Sequence, residues 1–344
     1  MNNGEILDGY SKQGIVVEGI TYHFPHAIRQ FDTKGEDDWL DWRKEGIGGS
    51  DMSAVLEQNP WRSARDLFLA KADPTYLTGL VDSEAAYWGS QMEATIIRHL
   101  KDQEMNRKMW QQIQAEFGHK YNRIRIKQAP FRLQYDVDSF RWMLATPDAL
   151  LVGTYKRKNY VLAVIEVKCT SIYPVRGDDG EYEVPAHHKI QLQHYMGCTG
   201  VSTGILATLY RGTTFHPVWM ERDHDLQDVI FGEGTRFWNR VTTNDPPPFD
   251  HLSPDTAKIL THTFEMEEMP TGREIDEMEM ATIEEHRVAK EQEKLVKKEV
   301  TRTKNQTLEI IGSNTWVTFN GEPVARRSQR VSRSGNPYSI LKLL

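Results

Sequence analysis

The chain has 344 residues, of which 39% are hydrophobic and 26% charged, a composition typical of a globular protein with a large core. No apolar run approaches the length of a membrane span and the N-terminus has no signal-peptide core, so we expect a cytoplasmic protein without membrane contact. The net charge of −7 excludes attraction of nucleic acid by bulk charge, and two cysteines exclude a disulfide framework.

The N-terminal part predicts a short strand pair followed by helices. Apolar residues flank a turn between Gly14 and His23, which is typical of a hairpin. A helix is predicted from Asp37, followed by a glycine-rich turn and a second helix that starts near Met52 with Ser50 as its cap.

The glycine-rich turn at 46–50 has the features of a phosphate site. Free N–H groups at a helix start attract an anion, the Ser50 hydroxyl can donate to it, and Arg43 can approach with two parallel hydrogen bonds. Plain helix capping is the alternative interpretation, since most turns of this composition bind nothing.

Residues 84–117 predict one long helix, because apolar residues recur at steps of three or four. Gly89 and Glu93 then share one face. The glycine would let another backbone approach, and Glu93 would project toward a cleft or, alternatively, into solvent.

Two strands and a hairpin are predicted next. Arg123–Lys127 alternates basic and apolar residues, Phe140–Ala145 reads as a strand, and the apolar runs 148–152 and 160–168 flank a turn-forming segment.

The hairpin carries an unusual set of polar residues. Alternation places Glu166 and Lys168 on one face of an apolar strand, and Asp148 lies on the neighbouring strand. Buried charges need partners or a metal, and a carboxylate pair suits Mg²⁺, which activates water and stabilises charge on phosphate. An ordinary edge strand with a surface Glu/Lys pair is the alternative.

A helix follows over 186–197. It places His187, Gln191 and either His194 or Tyr195 along one side. No cysteine pair or His-Glu-x-x-His sequence accompanies the histidines, so we do not expect zinc. A strand pair, Thr203–Arg211 with Phe215–Arg222, and a helix over Asp225–Val241 complete this part.

The C-terminal part predicts a separate appendage, so we divide the chain into domains at 1–274 and 275–344. Alternating acidic and basic residues over 277–304 indicate an exposed helix. Strands are predicted at Thr307–Ile311, Asn314–Phe319 and Tyr338–Leu343, with Asn320-Gly321 as a hairpin turn. The last 22 residues contain no acidic residue and five basic ones: Arg326, Arg327, Arg330, Arg333 and Lys342.

Five ordered blocks together resemble the lambda exonuclease or YqaJ-type viral recombinase family of the PD-(D/E)XK nuclease superfamily. The blocks are Trp39-x-x-Trp42-Arg43 followed by Gly-Ile-Gly-Gly-Ser-Asp, Trp-Gly-Ser-Gln-Met-Glu ending at Glu93, Thr-Pro-Asp ending at Asp148, Glu-Val-Lys at 166–168, and Gln-Leu-Gln at 191–193. The resemblance covers about 37–245. It implies an α/β fold with a restriction-endonuclease-like core, in which helices flank a central mixed sheet.

The resemblance also implies residue roles. Asp148, Glu166 and the Val167 carbonyl would hold Mg²⁺, for which Mn²⁺ would substitute, and Glu93 would support that site or a second ion. Lys168 and Gln191, with Gln193 as the alternative to Gln191, would orient the attacking water. Arg43 and Ser50 would bind the 5′-terminal phosphate.

The implied activity is 5′ to 3′ digestion of one strand of duplex DNA from an end, which leaves a 3′ single-stranded tail. The implied partners are double-stranded DNA ends, a single-strand annealing protein, and further copies of the chain in a homo-oligomeric ring, a trimer by this resemblance. Two other interpretations stay open at this point: a restriction-like or repair endonuclease on the same core, and a catalytically inactive DNA-binding or assembly protein.

Overall fold

The structure is a computed structural model that describes residues 8–31, 36–73, 75–76, 84–128, 131–172, 183–264, 272–331 and 337–344. The chain divides into two compact units, Met1–Met266 and Glu267–Leu344. Among the described helices, none combines the length and the apolar content needed to cross a bilayer.

The first unit is built on a mixed sheet of seven strands. These are β1 Gly14–Val17, β2 Ile20–His23, β4 Arg123–Lys127, β7 Ala149–Tyr155, β8 Lys158–Thr170, β9 Thr203–Tyr210 and β10 Thr214–Glu221. β8 is central: β7 pairs antiparallel with one edge, and β2 and β9 pair parallel with the two halves of the other edge. A second, small sheet consists of β3 Ile28–Gln30, β5 Leu133–Tyr135 and β6 Leu144–Ala145.

Eight helices of the first unit lie in the described residues. They are α1 Glu36–Lys44, α2 Gly49–Val55, α3 Ala64–Ala72, α4 Glu84–Lys101, α5 Arg107–Phe117, α6 Ala186–Thr199, α7 His224–Thr243 and α8 Thr256–Thr263.

The core has two parts, one on each face of the sheet. Alternation along β7 sends Leu150 and Val152 into one hydrophobic cluster and Leu151 into the other. The first cluster includes residues of α2, α6 and α7, and the second includes residues of α4 and α5. The predicted α/β class with helices flanking a central mixed sheet is therefore confirmed.

The hairpin β7–β8 forms as the sequence predicts. Its two-residue turn, Lys156-Arg157, has both residues at positive φ, which matches the twist of the flanking strands. The strand pairs at Gly14–His23 and 203–221, and the helix that ends at Gly200 with φ +81°, are also confirmed.

Three predicted elements of the first unit are wrong. Residues 84–117 form two helices, because the Asp102 carboxylate accepts backbone N–H groups of the break and Asn106 Nδ2 donates to the His99 carbonyl. Most of Phe140–Ala145 is not strand; only Leu144–Ala145 is. Ser50 lies inside α2, whose cap is Gly48 with Asp51 accepting the Gly48 N–H.

The second unit consists of one long helix and a three-stranded antiparallel sheet. The helix is α9 Glu277–Ile311, and the strands are β11 Trp316–Phe319, β12 Glu322–Val331 and β13 Pro337–Leu343. The predicted strand at Thr307–Ile311 is wrong, since α9 continues to Ile311, which is fully buried. The predicted turn at Asn320-Gly321 is confirmed, with φ of 51° and 87°.

Candidate active site

The carboxylates and the lysine of the hairpin lie together at the end of β7. Asp148 immediately precedes β7, and its N–H donates to the Ile165 carbonyl at 3.1 Å. The Val167 N–H donates to Asp148 Oδ2 at 2.6 Å, and Lys168 Nζ donates to Glu166 Oε1 at 2.6 Å. The register of the two strands therefore assembles the predicted trio.

The Val167 carbonyl faces the same side as Asp148. Both backbone groups of a strand residue point to the same edge of the strand, and the N–H of Val167 already points to Asp148. β7 pairs with β8 only as far as Ile165, so the carbonyl lies beyond the end of that ladder.

Helix α6 closes the site over Glu166. Gln191 Nε2 donates to Glu166 Oε1 at 2.6 Å and to the Tyr195 hydroxyl at 3.1 Å. Glu166 is only 4% exposed, and within the described part of the chain its buried Oε2 has no hydrogen-bond partner. A buried carboxylate oxygen without a partner is costly unless a cation binds it.

Electrostatics link Glu93 to the same site. Burial raises the pKa of Glu93, and the charge of Glu166 raises it further. Burial also raises the pKa of Asp148 well above its usual range, together with the charges of Glu166 and Glu93. Burial opposes the charge of Lys168, but the neighbouring carboxylates outweigh it and raise the pKa of the ammonium.

The donor set fits a hard divalent cation. Carboxylate and carbonyl oxygens are the ligands that Mg²⁺ prefers, usually with only one or two carboxylates. Asp148 and Glu166 supply these, and a cation would both satisfy Glu166 Oε2 and relieve the repulsion between the two groups. The described residues contain no group of three or more His, Cys, Asp and Glu side chains arranged around a metal position.

A cluster of cations surrounds Asp51 at the start of α2. Arg43 Nη2 donates to Asp51 Oδ1 at 2.9 Å and to Ser50 Oγ at 3.2 Å. Arg62 Nη1 lies 3.4 Å from Asp51 Oδ1, and Lys71 Nζ lies 2.9 Å from Asp51 Oδ2. Arg62 also pairs with Asp66 at 2.5 Å, so three cations face two carboxylates. One positive charge is left over, which favours an anion.

Burial governs the protonation of this cluster. Burial alone would raise the pKa of Asp51, but Arg43, Lys71 and Arg62 hold it well below its usual range. Burial also lowers the pKa of Lys71 to about 8, despite the charge of Asp51. Sequence analysis identified Arg43 and Ser50 but missed Asp51, Arg62 and Lys71.

Helix α6 lies between the cation cluster and the carboxylates. Gly49 packs so tightly on α6 that an added Cβ would lie 2.5 Å from Tyr195 Cε1 and 3.0 Å from Gln191 Cγ. The helix start that carries Ser50 and Asp51 is therefore in direct contact with the helix that positions Gln191.

Residues 38–202 match the family model described as the YqaJ-like viral recombinase domain. The matched segment is just under half of the chain. The chain is also 32% identical over 222 residues to the uncharacterized protein YqaJ of Bacillus subtilis (strain 168), a match that spans 63% of this chain and 60% of that protein.

Solved structures similar to this chain include two described as exonucleases. One is an alkaline exonuclease from Laribacter hongkongensis, with a TM-score of 0.41 and 15% identity over 61% of this chain and 94% of that one. The other is a phage-related exonuclease from Haemophilus somnus 129PT, with a TM-score of 0.36 and 11% identity over 58% of this chain and 96% of that one.

All the candidate residues lie within the YqaJ-like domain. The predicted resemblance to the YqaJ-type family is thus confirmed. The hydrogen bonds above bring together Asp148, Glu166, Lys168 and Gln191, while Arg43 and Ser50 belong to the neighbouring cluster. Gln193, the alternative to Gln191, is fully buried, and its amide donates to the Glu221 carbonyl, away from the carboxylates.

An aromatic rim that the sequence did not indicate borders the YqaJ-like site. Trp61 is 64% exposed, and its ring lies edge-on to the His187 ring with 5.2 Å between the ring centroids. The centroids of the His187 and His188 rings are 4.2 Å apart. Burial, with the charge of Lys168, lowers the pKa of His187, and it lowers that of His188 to about 3. His194 is not part of this rim, since it is buried and its Nε2 lies 3.1 Å from the Leu144 carbonyl.

Proposed function

We propose that the YqaJ-like domain is a DNA exonuclease that uses a divalent cation, Mg²⁺ with Mn²⁺ as a substitute, to digest one strand of a duplex from its 5′ end. The observation that carries the proposal is the pair of half-buried Asp148 and buried Glu166 next to the cationic cluster of Asp51. Lys168 and Gln191 both donate to the Glu166 carboxylate.

The residues divide the work of phosphodiester hydrolysis. Asp148, Glu166 and the Val167 carbonyl would hold the cation, which when bound stabilises charge on the scissile phosphate and activates water. Lys168 Nζ is fixed by its contact with Glu166, so its remaining N–H groups can hold the attacking water or the phosphate oxygens. Gln191 fixes the orientation of Glu166 from the opposite side.

The proposed 5′ to 3′ direction requires attack on the phosphorus with the 3′-oxygen as leaving group. The water oxygen forms the new bond to phosphorus while the bond from phosphorus to the 3′-oxygen breaks, and a proton ends on that oxygen. Each cycle would release one 5′-mononucleotide and lengthen a 3′ single-stranded tail for recombination by strand annealing.

The cluster of Asp51 would bind the 5′-terminal phosphate. Arg43, half-buried with its guanidinium on both Ser50 and Asp51, has donors in a fixed fork that match phosphate geometry. The excess positive charge there would favour an end over an internal bond, because only an end carries the additional phosphate charge.

The decisive experiment compares linear duplexes with 5′-phosphate and 5′-hydroxyl ends and a covalently closed circle, each with Mg²⁺ or with EDTA. We expect Mg²⁺-dependent digestion of the linear molecules, faster with 5′-phosphate. Digestion of the closed circle would instead favour the endonuclease interpretation, and no digestion in any arm would favour an inactive DNA-binding protein.

Arg43→Ala tests the phosphate pocket. We expect it to reduce the preference for phosphorylated ends by about 10- to 100-fold, since hydrogen bonds to charged groups contribute about 1.5–3 kcal/mol. Lys44→Ala is the matched control, because Lys44 is the next residue of α1 and pairs with exposed Asp41. An Arg43→Ala enzyme with an undiminished preference would refute this part of the proposal.

The proposal extends to assembly. A homo-oligomeric ring, a trimer by family resemblance, would enclose duplex DNA, and a single-strand annealing protein would receive the 3′ tail. Sedimentation equilibrium of the full chain tests the first feature, since a purely monomeric mass at micromolar concentration would contradict it. Co-sedimentation with a purified single-strand annealing protein tests the second.

A further inference from the structure

The two faces of the C-terminal sheet differ in what covers them. Ala325, on one face of β12, is buried, as is Ile311 at the end of α9. Arg327, on the same face, donates from Nη1 to the Gly312 carbonyl at 2.7 Å and from Nε to Ser339 Oγ at 3.1 Å. The end of α9 and the following turn therefore contact this face.

The opposite face, here the outer face, is exposed throughout. Side chains directly across neighbouring strands point the same way, so the register defines its members. The outer face includes three sets of cross-strand neighbours: Trp316 with Arg326 and Lys342, Ser328 with Ile340, and Arg330 with Tyr338.

The composition of the outer face indicates its ligand. Trp316 is 58% exposed and Tyr338 47% exposed, and each lies directly across from an arginine. The acidic residue of β12, Glu322, lies at the hairpin turn, four residues before Arg326. Large exposed aromatic rings beside cations are typical of surfaces that stack nucleobases and neutralise phosphates.

The aromatic rings favour a single strand over a duplex. Bases in a duplex are stacked on each other and paired, so a flat sheet of exposed rings meets only their backbone. Bases of a single strand are free to stack on Trp316 and Tyr338, while Arg326, Arg330 and Lys342 contact the phosphates between them.

We propose that the outer face of the C-terminal sheet is a binding site for single-stranded DNA, separate from the nuclease site. The choice of DNA over RNA rests on the proposed nuclease, whose 3′ tail is such a strand. The site would hold that tail on the enzyme while digestion proceeds.

The test measures binding of the full chain in EDTA to a 30-residue oligothymidylate with a 5′-hydroxyl and a 3′ fluorophore, by fluorescence anisotropy. We expect Trp316→Ala with Tyr338→Ala to weaken binding about tenfold or more. We expect Arg326→Gln, Arg330→Gln and Lys342→Gln together to reduce the slope of log K against log salt by about 2.

Matched controls separate this site from bulk charge and from misfolding. Lys294→Gln, Lys298→Gln and Lys304→Gln remove the same charge from exposed positions of α9 and should leave binding within twofold. Trp316→Phe retains a ring and should restore most of the affinity that Trp316→Ala loses.

Several outcomes would overturn the proposal. One is wild-type affinity for the oligothymidylate in the outer-face variants, and another is an equal loss of affinity in the α9 control. A third is tighter binding of oligouridylate than of oligothymidylate. A fourth is a changed sedimentation coefficient of the outer-face variants with unchanged binding, which would indicate a contact between copies of the chain. Mg²⁺-dependent digestion of a short duplex is measured in parallel. Its absence in the wild type would refute the nuclease, whereas its presence with unaffected strand binding would refute only the outer-face site.

Discussion

Gly49 lies against the ring of Tyr195 so closely that a methyl group on its Cα would be 2.5 Å from Cε1. This contact couples the start of α2 to the helix that holds Gln191 against Glu166. Backbone conformation does not require glycine at this position; the lack of space does.

Gly49→Ala should therefore reduce Mg²⁺-dependent digestion about tenfold or more, because α6 must shift and Gln191 loses its position. Gly89→Ala is the control, since among the described residues nothing lies within 4 Å of its added methyl group and alanine favours helix. The measurement is kcat/KM on a 5′-phosphorylated duplex. Equal rates for the two variants would show that the packing of α2 on α6 does not control the site.

Asp51→Asn should lower the free energy of unfolding by about 3–5 kcal/mol, because Arg43 and Lys71 would remain close together without their carboxylate, while Arg62 keeps Asp66. Asp41→Asn removes an exposed carboxylate from a surface pair and should change stability by less than about 1 kcal/mol. Urea denaturation at pH 7.5 checks both. A loss for Asp51→Asn no larger than the control's would mean that the cations separate freely into solvent.

Divalent metal should stabilise the folded chain through Asp148 and Glu166. At a metal concentration ten times the dissociation constant, the free energy of unfolding should rise by about 1.4 kcal/mol. Asp148→Asn should remove the gain and, in EDTA at pH 8, unfold at a higher urea concentration than the wild type. The raised pKa of Asp148 means that its charged form weakens the fold as pH rises, and asparagine removes that charge.

The control for the metal experiment is Asp138→Asn, an exposed carboxylate that pairs with Arg141 at the surface. It should keep the metal-dependent gain. A full gain in Asp148→Asn would exclude Asp148 as a ligand.

Stability should fall as pH falls below about 6.5, because burial lowers the pKa of His194 to about 4. The unfolded chain binds this proton at higher pH than the folded one, so the loss is complete near pH 4 and reaches about 3 kcal/mol. The Nε2–H group of the neutral ring donates to the Leu144 carbonyl, and within the described residues Nδ1 has no hydrogen-bond partner.

His194→Gln should make the urea midpoint less dependent on pH between 7 and 5 than in the wild type, since glutamine keeps a donor and has no proton to gain. His119→Gln, at an exposed position, should leave the dependence unchanged. Identical pH profiles for His194→Gln and the wild type would assign the acid sensitivity to other groups.

The carboxylate hairpin was predictable because every determinant of its geometry is local. Alternation fixes the face of Glu166 and Lys168, and the loop residues near Lys156 fix the turn. The cluster of Asp51 was not predictable in the same way. Its cations come from α1, the loop before α3 and α3 itself, and only tertiary packing brings them to one carboxylate.

The wrong elements have physical causes that periodicity does not report. The apolar spacing is interrupted after Leu100, since Gln103 and Glu104 are polar, but an interruption does not by itself show where a helix ends. Here Asp102 accepts backbone N–H groups and Asn106 donates to the His99 carbonyl, which ends one helix and starts another. Thr307–Ile311 is rich in β-branched residues, yet burial of Ile311 keeps it helical, since packing outweighs intrinsic propensity.

The turn of the carboxylate hairpin lies at the far end of β8 from its chemistry. Lys158 and Glu166 are eight residues apart in an extended strand, or about 26 Å. A fluorophore or a short peptide grafted at Lys156-Arg157 would thus report on the enzyme during digestion without touching the groups that perform it.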